Sequence, residues 1–138
     1  MARVLGVDYG DVRVGLALSD SNKIIARPFK TLINKNSKDL LINLEEIINQ
    51  NEIDEIVIGV PYNMSGQDTK QTEKVREFIA ILKQKFELSI NLIDERLTSI
   101  EAEGIMHKMN IKTGSNKGKI DKIAASIILQ EHLDSHHV

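Results

Sequence analysis

Apolar residues come in short blocks at the start of the chain and change to a helical period past residue 36. Val4-Leu5-Gly6-Val7 is a short buried run that ends at Asp8. Gly10-Asp11 reads as a turn, and Val12-Arg13-Val14-Gly15-Leu16-Ala17-Leu18 as a second strand. A third strand starts at Ile24-Ile25-Ala26 and extends past Pro28 to about Ile33. Three strands in succession, joined by short turns, predict an antiparallel meander.

The period then lengthens. Leu40, Leu41, Leu44, Ile47 and Ile48 recur at helical spacing, with Asn36 or Ser37 as the cap. Glu55-Ile56-Val57-Ile58-Gly59-Val60 reads as a buried strand stopped by Pro61. A loop with Gly66 follows, then a helix with Val75, Phe78, Ile79 and Leu82 on one face. A strand over residues 89–94 leads to Glu95, and Thr98-Ser99-Ile100-Glu101 matches a capping box that starts another helix at Thr98. The final helix is expected over about 121–133, with Asp121, Ala124, Ala125, Ile128 and Leu129 sharing a face. The order βββ-α-β-α-β-α-α predicts one α/β domain over residues 1–138. Its mixed central sheet carries three antiparallel strands first and parallel crossovers after, flanked by helices. No internal repeat or low-complexity segment interrupts it.

Composition narrows the classes without choosing among them. A chain of 138 residues, 41% hydrophobic and 28% charged, can bury a real core. The absence of cysteine excludes disulfides, thiolate nucleophiles and Cys-type zinc sites. The opening residues lack signal-peptide architecture and no apolar run approaches the roughly 20 residues of a membrane span, so a cytoplasmic location off the membrane is expected. A net charge of -2 does not advertise a polyanion partner for the chain as a whole. Lys108, Lys112, Lys117, Lys119 and Lys122, however, gather around a Gly/Ser/Asn loop. That cluster is either a solvated loop or a local footprint for a phosphate backbone.

Three carboxylates lie beside segments that read as buried: Asp8, Glu95 and Asp121. Singly, they have ordinary explanations in an Asx-type turn, a surface position after a strand and a helix N-terminus. Together they are expensive unless a cation or donors compensate them, and a divalent metal would compensate all three. In open α/β sheets ligands bind at the carboxyl ends of parallel strands, where Asp8, Glu95 and the loop at 61–66 should meet. Gly10 would admit a ligand close to the backbone. A strand-end Asp beside it suits hydrated Mg²⁺, and two such ions would clamp the oxygens of a phosphodiester. Asp94 should point away from Glu95 if the strand continues through both, and alternation does not say which acid reaches the metal. Arg13 and Arg96 are the cations near this edge, for phosphate or for fixing a carboxylate in a structural ion pair. His107, His132, His136 and His137 lack metal-ligand spacing, and no P-loop or Ser/His/Asp arrangement is present.

Four segments carry a resemblance that spans nearly the whole chain. Gly6-Val7-Asp8-Tyr9-Gly10 with Arg13-Val14-Gly15-Leu16-Ala17 and Ser19-Asp20 resembles the opening motif of the YqgF family. Ile58-Gly59-Val60-Pro61 with Asn63-Met64 and Gly66 resembles its middle motif. Asp94-Glu95-Arg96-Leu97-Thr98-Ser99 resembles its third, and Asp121-Lys122-Ile123-Ala124-Ala125 with Ile128-Leu129-Gln130 its last. The resemblance implies an RNase H-like fold and a metal-dependent nuclease. The family is described both as maturing the 5′ end of pre-16S rRNA and as resolving Holliday junctions. It also implies that Asp8, Glu95 and Asp121 are catalytic acids holding Mg²⁺ or Mn²⁺. Arg13, Asn63, Arg96, Lys112, Lys117 and Lys119 are the residues expected to position a nucleic-acid backbone. Structured RNA or branched DNA is the expected partner, with the protein a monomer or a homodimer. Asp11 and Val60 depart from the family pattern, and Asp11 adds negative charge near the expected site. Two rivals remain: a non-catalytic RNA-binding assembly factor, and a nucleotide-binding phosphotransferase, for which the chain leaves little room.

Overall fold

The computed structural model describes residues 2–97 and 117–135. Five strands form one sheet in the order β3-β2-β1-β4-β5. They are β1 (Arg3–Tyr9), β2 (Arg13–Ser19), β3 (Ala26–Ile33), β4 (Ile53–Val60) and β5 (Ser89–Asp94). The pairs β1·β2 and β2·β3 are antiparallel, while β1·β4 and β4·β5 are parallel. The meander followed by parallel crossovers is therefore the observed topology. Helix α1 (Ser37–Gln50) connects β3 to β4, and α2 (Lys70–Lys85) connects β4 to β5. A 3₁₀ turn, Glu95–Leu97, follows β5, and α3 (Lys117–Ser135) is the last helix described. The helix expected at Thr98 lies outside the described residues. None of the described helices is long and apolar enough to cross a membrane.

Strand alternation sorts the side chains onto two faces. Leu5, Val7, Val14, Leu16, Ile56, Ile58 and Val60 pack under α1 and α2, against Leu40, Leu44, Val75, Phe78 and Leu82. The opposite face carries Val4, Ala17 and Val57 under Ala125, Ile128, Leu129 and Leu133 of α3. Small residues dominate this second face and bring α3 down onto the strands. A Cβ added at Gly6 would lie 2.8 Å from the Leu129 Cβ, and one at Gly15 would overlap the Asp121 backbone carbonyl. The flush packing of α3 is a tertiary fact that the sequence pattern did not signal.

Three boundaries differ from the periodicity. β3 starts at Ala26, because the Asp20 carboxylate ties the amides of Ile24 (2.7 Å) and Ile25 (2.9 Å) into the preceding turn and leaves both side chains about half exposed. β4 starts at Ile53, directly after Glu52 turns the chain out of α1 with φ of 53°. α3 starts at Lys117 and ends at Ser135, so Asp121 stands one turn inside it and not at its start. Asn36 is the cap of α1, its Oδ1 accepting from the Asp39 amide at 2.8 Å. Pro28 sits in β3, an edge strand where a missing N–H is tolerated, beside a register shift opposite Leu16/Ala17.

Candidate active site

β1, β4 and β5 run parallel, so their carboxyl ends share one edge of the sheet. Asp8 is near the end of β1, paired in register with Gly15 of β2. Glu95 opens the 3₁₀ turn just past β5, with β4 between it and Asp8. The residue of β4 at this level is Gly59. A Cβ there would lie 2.5 Å from the Glu95 Oε1 and 2.6 Å from the Ile128 Cδ1. The missing side chain is the gap through which Glu95 crosses β4 to share a hydrogen bond with Asp8. Gly59 lies in the middle motif but was given no role there; its signal was a glycine inside an otherwise branched, buried strand.

Two carboxyl groups in contact cannot both ionise cheaply. Burial raises the Asp8 carboxyl above its ordinary value; the Glu95 hydrogen bond opposes this and the nearby Asp121 charge adds to it. Burial, the Asp8 charge and their hydrogen bond push Glu95 up to about 8. With Glu95 at about 8, the pair retains a proton at neutral pH and titrates as a unit. Asp94 behaves oppositely. Arg96 donates to it from its backbone amide (3.0 Å), from Nε (3.0 and 3.1 Å) and from Nη2 (2.6 Å), which holds Asp94 below the usual carboxylate range. The strand ends at Asp94, so Glu95 turns to Asp8 while Asp94 is paired with Arg96.

Asp121 comes from α3 and is close enough for Asp8 to feel its charge. Its Oδ2 accepts from the Arg13 Nε at 2.7 Å. Both arginines singled out by sequence therefore fix carboxylates, the second of the two uses expected of them. Among the described residues no group of three or more His, Asp or Glu side chains is gathered tightly enough to hold a metal alone. The donor chemistry at Asp8 and Glu95 nevertheless fits a hydrated Mg²⁺, which takes one or two carboxylates and leaves the rest of its shell to water and phosphate. A cation there would replace the shared proton.

The remaining predicted residues divide. Asn63 Oδ1 accepts from the amides of Ser65 (3.0 Å) and Gln67 (2.9 Å), so it builds its own loop. Arg96 Nη1 reaches the Met64 carbonyl at 3.4 Å, tying that loop to the residue after Glu95. Lys119 is exposed on α3, where Lys117 is the first residue; Lys108 and Lys112 lie outside the described residues, as do His107, His136 and His137. Asp11 is paired with Lys74 at 3.0 Å, so its added charge is locally compensated. A Cβ at Gly10 would lie 2.6 Å from the Arg13 carbonyl, so the tight turn itself calls for glycine there. His132 is buried against the Glu55 Oε2 at 3.0 Å, a structural contact that spacing did not signal.

The sequence matches the family described as "RuvX: Holliday junction resolvase" over residues 2–135. Proteins named "Putative pre-16S rRNA nuclease" from Koribacter versatilis and Fusobacterium nucleatum are each 41% identical to it. They align over 132 residues (96% of this chain, 86% of the relative) and 136 residues (97% and 98%) respectively. The fold is similar to that of Thermus thermophilus RuvC solved with a Holliday junction substrate (TM-score 0.61, 10% identity, 99% of this chain and 96% of that one). It is also similar to the fowlpox virus Holliday junction resolvase (TM-score 0.61, 11% identity, 97% and 99%). With a family match over residues 2–135 and relatives 41% identical along nearly its full length, the chain belongs to the RuvX family, the YqgF family to which its four motifs point.

Proposed function

We propose that this protein is a metal-dependent nuclease that hydrolyses phosphodiester bonds at the Asp8–Glu95 edge, in maturation of the 5′ end of pre-16S rRNA. The observation that carries the reading is the placement of two half-buried acids together at the carboxyl edge of the parallel strands, where Gly59 leaves room for Glu95 to reach Asp8. Burial raises both carboxyls, as expected of a site prepared for a cation. Asp8 and Glu95 would hold Mg²⁺ or Mn²⁺, with Asp121 as the third acid. The ion supplies an activated water and neutralises charge developing on the phosphate. Arg13 holds the Asp121 carboxylate in place, and Arg96 keeps the Asp94 charge from adding fully to the pair. Exposed Lys119, with Lys112 and Lys117, would position the sugar-phosphate backbone without reading sequence.

The rRNA assignment follows the names of relatives near 40% identity over nearly the whole chain. The family description favours a second reading, cleavage of branched DNA at a Holliday junction, which needs two sites acting together in a twofold dimer. The two part in one experiment: end-labelled pre-16S rRNA 5′ precursor and a four-way DNA junction, each incubated with wild-type protein and Mg²⁺ or Mn²⁺, with EDTA controls. Faster metal-dependent cutting of the precursor is expected. Faster resolution of the junction would move the substrate to DNA. Binding in EDTA with no product from either would sink the nuclease reading in favour of an RNA-binding assembly factor.

A further inference from the structure

Met64 is 88% exposed, more than any other large apolar side chain among the described residues. A single exposed apolar residue is common on protein surfaces and usually signifies nothing. Met64 differs in how it is presented. Its loop is closed by the Asn63 amide on the Gln67 carbonyl (3.0 Å) and the Gly66 amide on the Asn63 carbonyl (2.9 Å), with Gly66 in the left-handed region at φ 82°. The Asn63 side chain ties the same turn from inside. Arg96 holds the Met64 carbonyl, and a Cβ at Gly66 would lie 3.1 Å from the Arg96 Nη1. Beneath the tip, the Tyr62 ring has the guanidinium carbons of Arg76 and Arg96 at 5.7 and 5.9 Å from its centroid. The turn that carries this apolar side chain is tied to the residue after Glu95, and the side chain itself is almost wholly exposed among the described residues.

Apolar side chains, methionine among them, serve nucleic-acid-binding proteins as wedges inserted between base steps. We propose that Met64 is a wedge acting on the base beside the phosphate being cut. The enzyme would then select nucleic acid whose stack is already open there, at a branch point or at the border of a helix and a single strand. The inference rests on the nuclease reading for its location but concerns substrate shape, which phosphate contacts alone do not read. Met64 touches base and not the reacting atoms, so it is a specificity residue. Its loss should change substrate preference more than binding.

The test uses the full chain with Ca²⁺ in place of Mg²⁺, and two probes: an RNA hairpin with a single-stranded extension and a four-way DNA junction. Each carries 2-aminopurine at the pair bordering the opening. Wild type should raise the fluorescence on binding, with the RNA or the DNA probe responding according to which is the true substrate. Met64→Ala should bind within about threefold of wild type, because backbone charge carries affinity, yet lose most of the rise. Met64→Leu should restore it. With Mg²⁺, the cleavage ratio of opened substrate to unbroken duplex should fall about tenfold in Met64→Ala. A Met64→Ala protein with the wild-type rise and ratio overturns the wedge and leaves the nuclease standing. An inert wild type that still raises the fluorescence keeps the wedge and removes the nuclease. A wild type that binds without any rise overturns the wedge outright, and one that binds neither probe overturns both.

Discussion

The proton shared by Asp8 and Glu95 has a consequence for folding that can be read without any substrate. In the unfolded chain both carboxyls ionise near their ordinary values, 4.5 for Glu95. In the folded chain Glu95 holds its proton up to about 8. Between those values the native state binds a proton that the unfolded state has lost, so the protonated pair's contribution is fully present below the window and is lost as pH rises through it. The unfolding temperature of metal-free protein should therefore fall between about pH 5 and about pH 8.5. Glu95→Gln should flatten that fall, and Mg²⁺ should raise the unfolding temperature more at the alkaline end, where it no longer competes with the proton. A pH profile identical in wild type and Glu95→Gln would show that the pair does not share its proton. Most of this residue-scale picture was legible in the sequence as a choice of acids: Asp8 and Glu95 stood beside buried runs. Their meeting at this edge followed from the topology, but the way Glu95 reaches Asp8 past Gly59 did not, because it depends on the chain leaving strand geometry at Glu95, which the alternating pattern cannot register. Nor was the disposition of Arg13 and Arg96 legible, since an arginine near a phosphate edge and an arginine holding an acid look alike in one dimension.

Among the elements, β4 decides whether the site assembles, because it separates the two acids and must leave room for Glu95 to cross. Gly59→Ala places a Cβ against both the Glu95 Oε1 and the Ile128 Cδ1. Overpacking of this kind costs about 1–3 kcal/mol, and the expected result is a folded but less stable protein. Its cleavage rate should fall by about tenfold or more, since displacing a catalytic group by even an ångström is that damaging. A Gly59→Ala enzyme of wild-type rate would mean that Glu95 need not cross β4. α3 makes its contribution by lying flush on the sheet over Gly6 and Gly15, which brings Asp121 beside β2 and within reach of Arg13. Helical spacing gave the face of α3 that carries Ala125, Ile128 and Leu129, and the structure adds Ile123, Ile127 and His132 to the buried set. It did not give the start of the helix, because Lys117-Gly118-Lys119 holds no apolar residue to extend the stripe.

At the scale of the molecule, the topology was legible because each connection left its own mark: turns of a few residues between the first strands, a helical period before each parallel return. The whole arrangement places a carboxylate pair, a neutralised neighbour and a third acid at one edge, with a rigid loop tip beside them. A chain of net charge -2 has no general attraction to nucleic acid, so the proposed function calls for a local footprint. The account therefore stands or falls on a single comparison: wild type against Asp8→Asn on end-labelled pre-16S rRNA precursor and a four-way junction, each with Mn²⁺ and with EDTA in its place. Asparagine keeps the size of the side chain and removes the charge a cation needs. Wild type should cut in a metal-dependent manner, and Asp8→Asn should retain binding while losing cleavage by at least about a thousandfold. An Asp8→Asn protein that cuts at the wild-type rate would contradict the account.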